Sequence, residues 1–257
     1  MNTTARKFES FSDAMSACGG AYEDTVLTEV VAEKTKRLVQ LLDSNPVQLD
    51  HETAQRLALI HSCIPSVQAT VIDVGGACGY YFHLYNRTFR ATRLKSWRVV
   101  ETTSMVAAAK ERRFDNGILS FSNQLAGSVR ITADVPDLVL LSSSLQYFSS
   151  PAETLGTLIS LGPKSIIITR TPFSSSPERL ISVQKSRLRD NGPGPLPEQI
   201  NDDEVRYPVV FESLELIKDI LERGPYIVDV IKESGATLFF DGQGINSHYT
   251  LIARRSS

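Results

Sequence analysis

The chain has 257 residues, of which 42% are hydrophobic, and its 27 basic and 29 acidic side chains leave a net charge of −2. That apolar content can build a full core, and one compact unit with decorations is expected at this length. The near-neutral balance, with charges spread rather than blocked, lacks the basic footprint of a nucleic-acid binder, so neither DNA nor RNA is an expected partner.

From Met1 to Val30 polar residues interrupt the sequence every few positions, and no later apolar run has the length of a membrane span. A cytoplasmic protein with no membrane partner is the expectation. From Asp24 to Leu42 the residues Leu27, Val30, Val31, Leu38, Leu41 and Leu42 recur at helical intervals, and Asn45-Pro46 ends the stretch. A second helix is predicted over His51–Ile64, with Leu57, Ile60 and Ile64 on one face. Together they suggest an N-terminal helical layer over residues 1–65, which either covers a site or forms a homodimer contact.

Short apolar runs then alternate with helical segments: Thr70–Val74, Trp97–Val100, Ile118–Phe121, Leu138–Leu141, Ser165–Thr169, Tyr226–Ile231 and His248–Ala253. This alternation predicts an α/β fold for residues 66–257, with a largely parallel sheet and helices on both faces. After the fourth run a helix to Leu161 is expected, with Ser150 as cap, Pro151 in the first helical position and Glu153 closing a reciprocal box. Residues 172–208 hold six of the 12 prolines and no sustained period, which reads as a long loop or insertion carrying part of a binding site. No crossover helix fits between the last two runs, whose linker carries Gly235, Gly242 and Gly244, so the final strand is expected to be antiparallel.

The strongest local signal is Asp73-Val74-Gly75-Gly76-Ala77-Cys78-Gly79, an apolar strand that ends in an acid and a glycine turn before a helix near Tyr80. Such a turn lets backbone approach a ligand, although an ordinary tight strand-to-helix turn can look the same. Glu101 closes the next strand, where an acid accepts hydrogen bonds from the ribose hydroxyls of an adenosine-containing cofactor; alone it would equally be a solvated strand-end charge. Thr102 and Met105 follow it, with Met105 placed either against an adenine or in the core. Ser143 and Ser144 end the fourth strand as turn residues or cofactor contacts. Gln146 and Tyr147 come next as acceptor-binding candidates, and Arg170, Arg179 and Tyr207 lie in or beside the insertion. The arginines suit either an anionic acceptor or pairing with acids that pin the insertion. Cys18, Cys63 and Cys78 stand at wide spacings that fit reduced thiols, and the four histidines are equally scattered, so no metal site is expected.

The ordered set Asp73–Gly79, Glu101, Ser144-Leu145-Gln146-Tyr147 and His248–Arg255 resembles the class I S-adenosylmethionine (SAM)-dependent methyltransferases, specifically a bacterial family of small-molecule methyltransferases. Phe11-Ser12-Asp13-Ala14, Tyr22, Arg170-Thr171-Pro172-Phe173, Arg179 and Gln184 look like further elements of that family. The resemblance implies a Rossmann-like seven-stranded sheet in the order 3-2-1-4-5-7-6. It implies SAM as cofactor, held by Asp73, Gly75, Gly76, Ala77, Gly79, Glu101, Thr102, Met105, Ser143 and Ser144. It supplies no acceptor. Two features depart from the common pattern: the adenine contact after the third strand is represented only by Ser122, Asn123 and Gln124, and no Asn-Pro-Pro-Tyr or Asp-Pro-Pro-Tyr follows the fourth strand. The second departure favours methylation at oxygen, then nitrogen, of a small-molecule substrate. Tyr147 and His83 are the nearest bases by context, with His83 more suited to packing, so no catalytic residue is assigned. Two rivals stand: a nicotinamide-dependent oxidoreductase, opposed by the lack of G-x-G-x-x-G spacing, and a SAM-binding module without turnover.

Overall fold

The computed structural model describes residues 6–19, 23–65, 67–89, 94–125, 135–174, 177–233, 238–240 and 243–256. Tyr22, Gly235 and Gly242 lie outside them. The helices are α1 (Phe11–Ser16), α2 (Thr25–Ser44), α3 (His51–Cys63), α4 (Tyr80–Phe89), α5 (Thr103–Glu111), α6 (Pro151–Ser160) and α7 (Leu214–Arg223). The strands are β1 (Ala69–Val74), β2 (Leu94–Val100), β3 (Leu119–Ser122), β4 (Leu138–Ser142), β5 (Ser165–Ser174), β6 (Leu180–Arg187), β7 (Glu204–Phe211), β8 (Tyr226–Lys232), β9 (Leu238–Phe240) and β10 (Gln243–Arg255). None of the described helices is long and apolar enough to cross a membrane.

The main sheet runs β3-β2-β1-β4-β5-β10-β8, with β9 paired to β10. Because β6 and β7 form a separate two-stranded sheet, β8 and β10 are the sixth and seventh strands of the sequence reading. Its order therefore holds, and β10 is antiparallel to both β5 and β8. The class is α/β and Rossmann-like, with β9 as an added strand.

Two local expectations are corrected. Of the two readings of residues 172–208, a long loop or an insertion, the loop is the one corrected: β5 continues to Ser174, and β6 pairs with β7, which starts in the segment and runs to Phe211. Pro208 lies inside β7, and the apolar Tyr207, Val209, Val210 and Phe211 around it are all buried. The capping box at α6 also does not form; Ser150 is the N-cap residue but its side chain makes no capping hydrogen bond. Pro151 alone gives that helix its start.

The chain forms two compact units. Unit 1 comprises Met1–Ala21, Leu140–Lys185 and Val205–Ser257, and unit 2 comprises Tyr22–Val139 and Ser186–Glu204. In unit 1, α1 packs on the insertion strands through Ala14, Ile181 and Val210, and the Phe8 amide donates to the Ile181 carbonyl at 2.9 Å. In unit 2, Asp24 caps α2 and Asp50 caps α3, each accepting backbone amides of the first turn. Trp97, Phe82 and Tyr85 fill the unit's interior against β1, and His61 stacks on Phe89 at 4.1 Å.

Lys34 explains why the segment 186–204 belongs to unit 2. Only 1% exposed on α2, it donates from Nζ to the carbonyls of Arg189 at 2.8 Å and Asn191 at 2.6 Å. Burial lowers its pKa, while Asp190 and Asp202 oppose that shift. Losing a charged donor leaves two carbonyls unsatisfied, which costs about 3 kcal/mol. Lys34→Met is accordingly expected to lower the melting temperature by roughly 5–10 °C, as read by thermal unfolding.

Candidate active site

In unit 2, β1 is buried along its whole length and delivers Asp73 one residue before its end, where the carboxylate is 0% exposed. Parallel pairing sets Val71 against Trp97 on β2. This brings the indole Nε1 to Asp73 Oδ2 as a donor at 3.1 Å. Oδ1 has no hydrogen-bond partner among the described residues. Burial lifts the Asp73 pKa to about 7; the Trp97 hydrogen bond opposes the rise and the Glu101 charge adds to it. A buried acceptor without a donor is costly, and that cost is relieved by a ligand bringing a donor or a positive charge.

The turn after β1 is fixed by the Gly75 amide donating to the Val100 carbonyl at 2.8 Å and the Gly79 amide donating to Gly76 at 2.9 Å. Gly75 and Gly79 take φ of 72° and 82°, and Ala77 sits at 51°. Gly76 has a different requirement. A Cβ there would stand 2.5 Å from Asp73 Cγ, so glycine is what allows the carboxylate and the loop to coexist.

Glu101, just beyond β2, closes the loop from the other side. Its Oε1 accepts the Ala77 amide at 2.9 Å and its Oε2 accepts the Thr102 amide at 2.9 Å. Each oxygen keeps a second lone pair for an incoming hydroxyl. Burial raises the Glu101 pKa and these two amides lower it.

The structure brings Asp73, Gly75, Gly76, Ala77, Gly79 and Glu101 together, and it gives their neighbours structural duties. Thr102 caps α5 by accepting the Met105 amide at 3.3 Å. Met105 is 6% exposed, with its Sδ 3.6 Å from Cys78 Sγ, which makes it a core contact of the loop. His83 donates from Nε2 to the Cys78 carbonyl at 3.2 Å, and burial drops its pKa to about 4. It is a neutral packing residue at physiological pH. Asn123 donates to Thr103 Oγ1 at 3.1 Å, and Gln124 donates its amide to Ser122 Oγ at 3.2 Å. Glu23, which the sequence reading missed, accepts the Thr103 and Ser104 amides at the start of α5. Trp97 was also missed as an Asp73 partner; a lone tryptophan three places from a strand's end, on the same face as Val99, was the available signal.

In unit 1, the 3-10 turn Leu145–Tyr147 follows β4. Ser143 adopts φ 54° and its amide donates to the Thr169 carbonyl at 2.9 Å. Ser144 is 5% exposed and Gln146 is 3% exposed. Tyr147 donates to Gln184 Oε1 at 3.0 Å, and its ring meets the buried Tyr207 edge-on at 5.9 Å. Arg179 lies 3.6 Å from the buried Glu212 and also donates to the Ser149 carbonyl. Pairing that pins the insertion therefore describes Arg179 better than a free anion-binding role. Arg170 is exposed, with φ 55° and its amide bonded to Glu233 Oε1 at 2.8 Å.

No protein-family profile and no curated protein matches the chain by sequence. Solved structures do. The N-terminal domain of EvdMO1 with SAH bound aligns at a TM-score of 0.52 and 14% identity, over 87% of this chain and 97% of that one. The CcbJ methyltransferase from Streptomyces caelestis aligns at 0.52 and 10% identity, over 89% and 99%. The fold is that of the class I SAM-dependent methyltransferases. Magnesium protoporphyrin IX methyltransferase from Synechocystis PCC 6803, also with SAH, shares this methyltransferase fold at 0.50 and 12% identity, over 90% and 99%.

Proposed function

We propose that the protein is a SAM-dependent methyltransferase acting on a small molecule, at oxygen or nitrogen. The observation that carries the reading is the pairing of an orphaned buried Asp73 oxygen with a glycine loop that admits no Cβ beside it and a Glu101 that still has lone pairs to offer. These residues fit SAM: Asp73 takes the cationic methionine end, the amides of residues 75–79 approach its backbone, and Glu101 takes the ribose hydroxyls. The solved structures that share the fold and hold SAH, one of them magnesium protoporphyrin IX methyltransferase, support the same cofactor.

Held by Asp73, the loop at 75–79 and Glu101, SAM would supply a sulfonium-bound methyl group for an acceptor lone pair, with the carbon–sulfur electron pair staying on sulfur and the acceptor proton passing to solvent. The chain's part is then positioning and exclusion of water. Gln146, Tyr147 and Tyr207 are the acceptor contacts we favour. A dinucleotide reading is disfavoured by the glycine spacing and by antiparallel β10. The free thiols of Cys18, Cys63 and Cys78 suit a reducing, cytoplasmic setting.

Asp73 also gives the binding reaction a pH signature. With its pKa raised to about 7, the folded protein keeps a proton that the unfolded chain has released, so this residue's contribution to stability falls as pH rises from about 4 to about 7. A cationic ligand favours the ionised form, so SAM affinity is expected to rise roughly tenfold between about pH 6 and pH 8. Asp73→Asn should flatten that dependence in calorimetric titrations.

Turnover is tested by incubating the protein with methyl-labelled SAM and a panel of small hydroxyl and amine acceptors. Label transfer with equimolar S-adenosylhomocysteine supports the enzyme. Binding of SAM without transfer across the panel favours the non-catalytic module.

A further inference from the structure

We propose that Gln146 selects the acceptor, and that it selects a neutral molecule offering an O–H or N–H group rather than a carboxylate or phosphate. This rests on the methyltransferase reading and adds the substrate's chemical class to it. The starting point is a carboxamide with one end committed and one end free. Gln146 is 3% exposed, and its Nε2 donates to Ser143 Oγ at 3.2 Å. Its Oε1 has no hydrogen-bond partner among the described residues. With one N–H bonded to Ser143, the Gln146 atom left without any partner is the carbonyl oxygen, an acceptor.

Its orientation is held by a chain of bonds within unit 1. Ser143, in the left-handed region, is tied through its amide to the Thr169 carbonyl at 2.9 Å. Arg170, also left-handed, is tied through its amide to Glu233 Oε1 at 2.8 Å. The same Glu233 oxygen accepts Thr169 Oγ1 at 2.9 Å and Thr250 Oγ1 at 2.6 Å. Two strained residues persist because the surrounding bonds over-determine them, a pattern that accompanies preorganised sites. Glu233 is thus a positioning residue for the corner that aims Gln146.

The side chains beside Tyr147 point the same way. Tyr147, Gln184 and Tyr207 are neutral, and the Tyr147 hydroxyl is itself bonded to the Gln184 carbonyl oxygen. Arg179 is engaged by Glu212 and the Ser149 carbonyl. A carboxylate or a phosphate dianion has only acceptors, so it would set negative oxygens against the Gln146 oxygen. A hydroxyl or amine satisfies that oxygen directly, and sites built on a buried hydrogen-bonding group discriminate strongly against ligands that leave it unpaired.

The test uses the full chain saturated with S-adenosylhomocysteine and ligand-observed NMR with two matched pairs: benzyl alcohol with benzoate, and myo-inositol with its monophosphate. At least one neutral member should bind fivefold or more tightly than its anionic partner. Gln146→Leu should weaken that neutral ligand about tenfold while S-adenosylhomocysteine affinity stays within twofold, and Gln146→Glu, which keeps an acceptor oxygen, should retain it. Preference for the anionic members, absence of binding by every neutral probe, or neutral binding indifferent to Gln146→Leu would overturn the proposal. So would a loss of S-adenosylhomocysteine affinity in Gln146→Leu, because the group would then serve the cofactor. Failure of the native chain to bind S-adenosylhomocysteine would instead strike the methyltransferase reading itself.

Discussion

Gly76→Ala is expected to lower affinity for S-adenosylhomocysteine about a hundredfold. The new Cβ would lie 2.5 Å from Asp73 Cγ, 2.5 Å from Oδ2 and 2.8 Å from Oδ1. Asp73 has little room to retreat, since it is fully buried and its Oδ2 is held by the Trp97 indole. The glycine loop must therefore move, and overpacking of this kind costs about 1–3 kcal/mol. A displacement that costs the ligand about 2.8 kcal/mol is a hundredfold in affinity. Calorimetric titration measures the loss, and a thermal melt separates it from unfolding. An affinity within threefold of the native value would mean that the loop does not hold the cofactor.

Glu101→Ala should cost a comparable amount for a different reason. The native carboxylate satisfies the amides of Ala77 and Thr102, one on each oxygen. Removing it leaves two backbone donors without that acceptor, at about 1–3 kcal/mol each if water cannot replace it, and takes away the partner proposed for the ribose. Glu101→Gln is the informative companion. Its single carbonyl oxygen can serve one amide, but its NH2 group must then face the other N–H, so an intermediate loss of about tenfold is expected. Equal affinity for the native, Gln and Ala forms would remove Glu101 from the site.

What the sequence made legible was the part governed by local chemistry. The acid-and-glycine turn at 73–79 stands out because an apolar strand runs directly into an acid and three glycines, and Glu101 could be found from its place at the end of the next strand. Alternation gave the α/β class and the missing crossover gave the antiparallel direction of β10, while the strand order came only with the resemblance to the methyltransferases. What stayed hidden depends on partners distant in the chain. The prolines between 172 and 208 suggested a loop, yet Pro208 sits within β7, where burial of its neighbours outweighs local propensity. Lys34 looked like a polar residue on an amphipathic helix; only the fold shows that it closes on carbonyls 155 and 157 residues away. Glu233 and Glu212 were ordinary charges in sequence, since nothing local says that one gathers Thr169, Arg170 and Thr250 or that the other meets Arg179. The Ser150–Glu153 spacing shows the opposite error, a local signal whose capping bond the structure does not make.

The most direct test of the account is calorimetric titration of the native protein with S-adenosylhomocysteine and, separately, with NAD. The account predicts stoichiometric binding of S-adenosylhomocysteine and none of NAD. Binding of NAD alone, or of neither ligand, would contradict it.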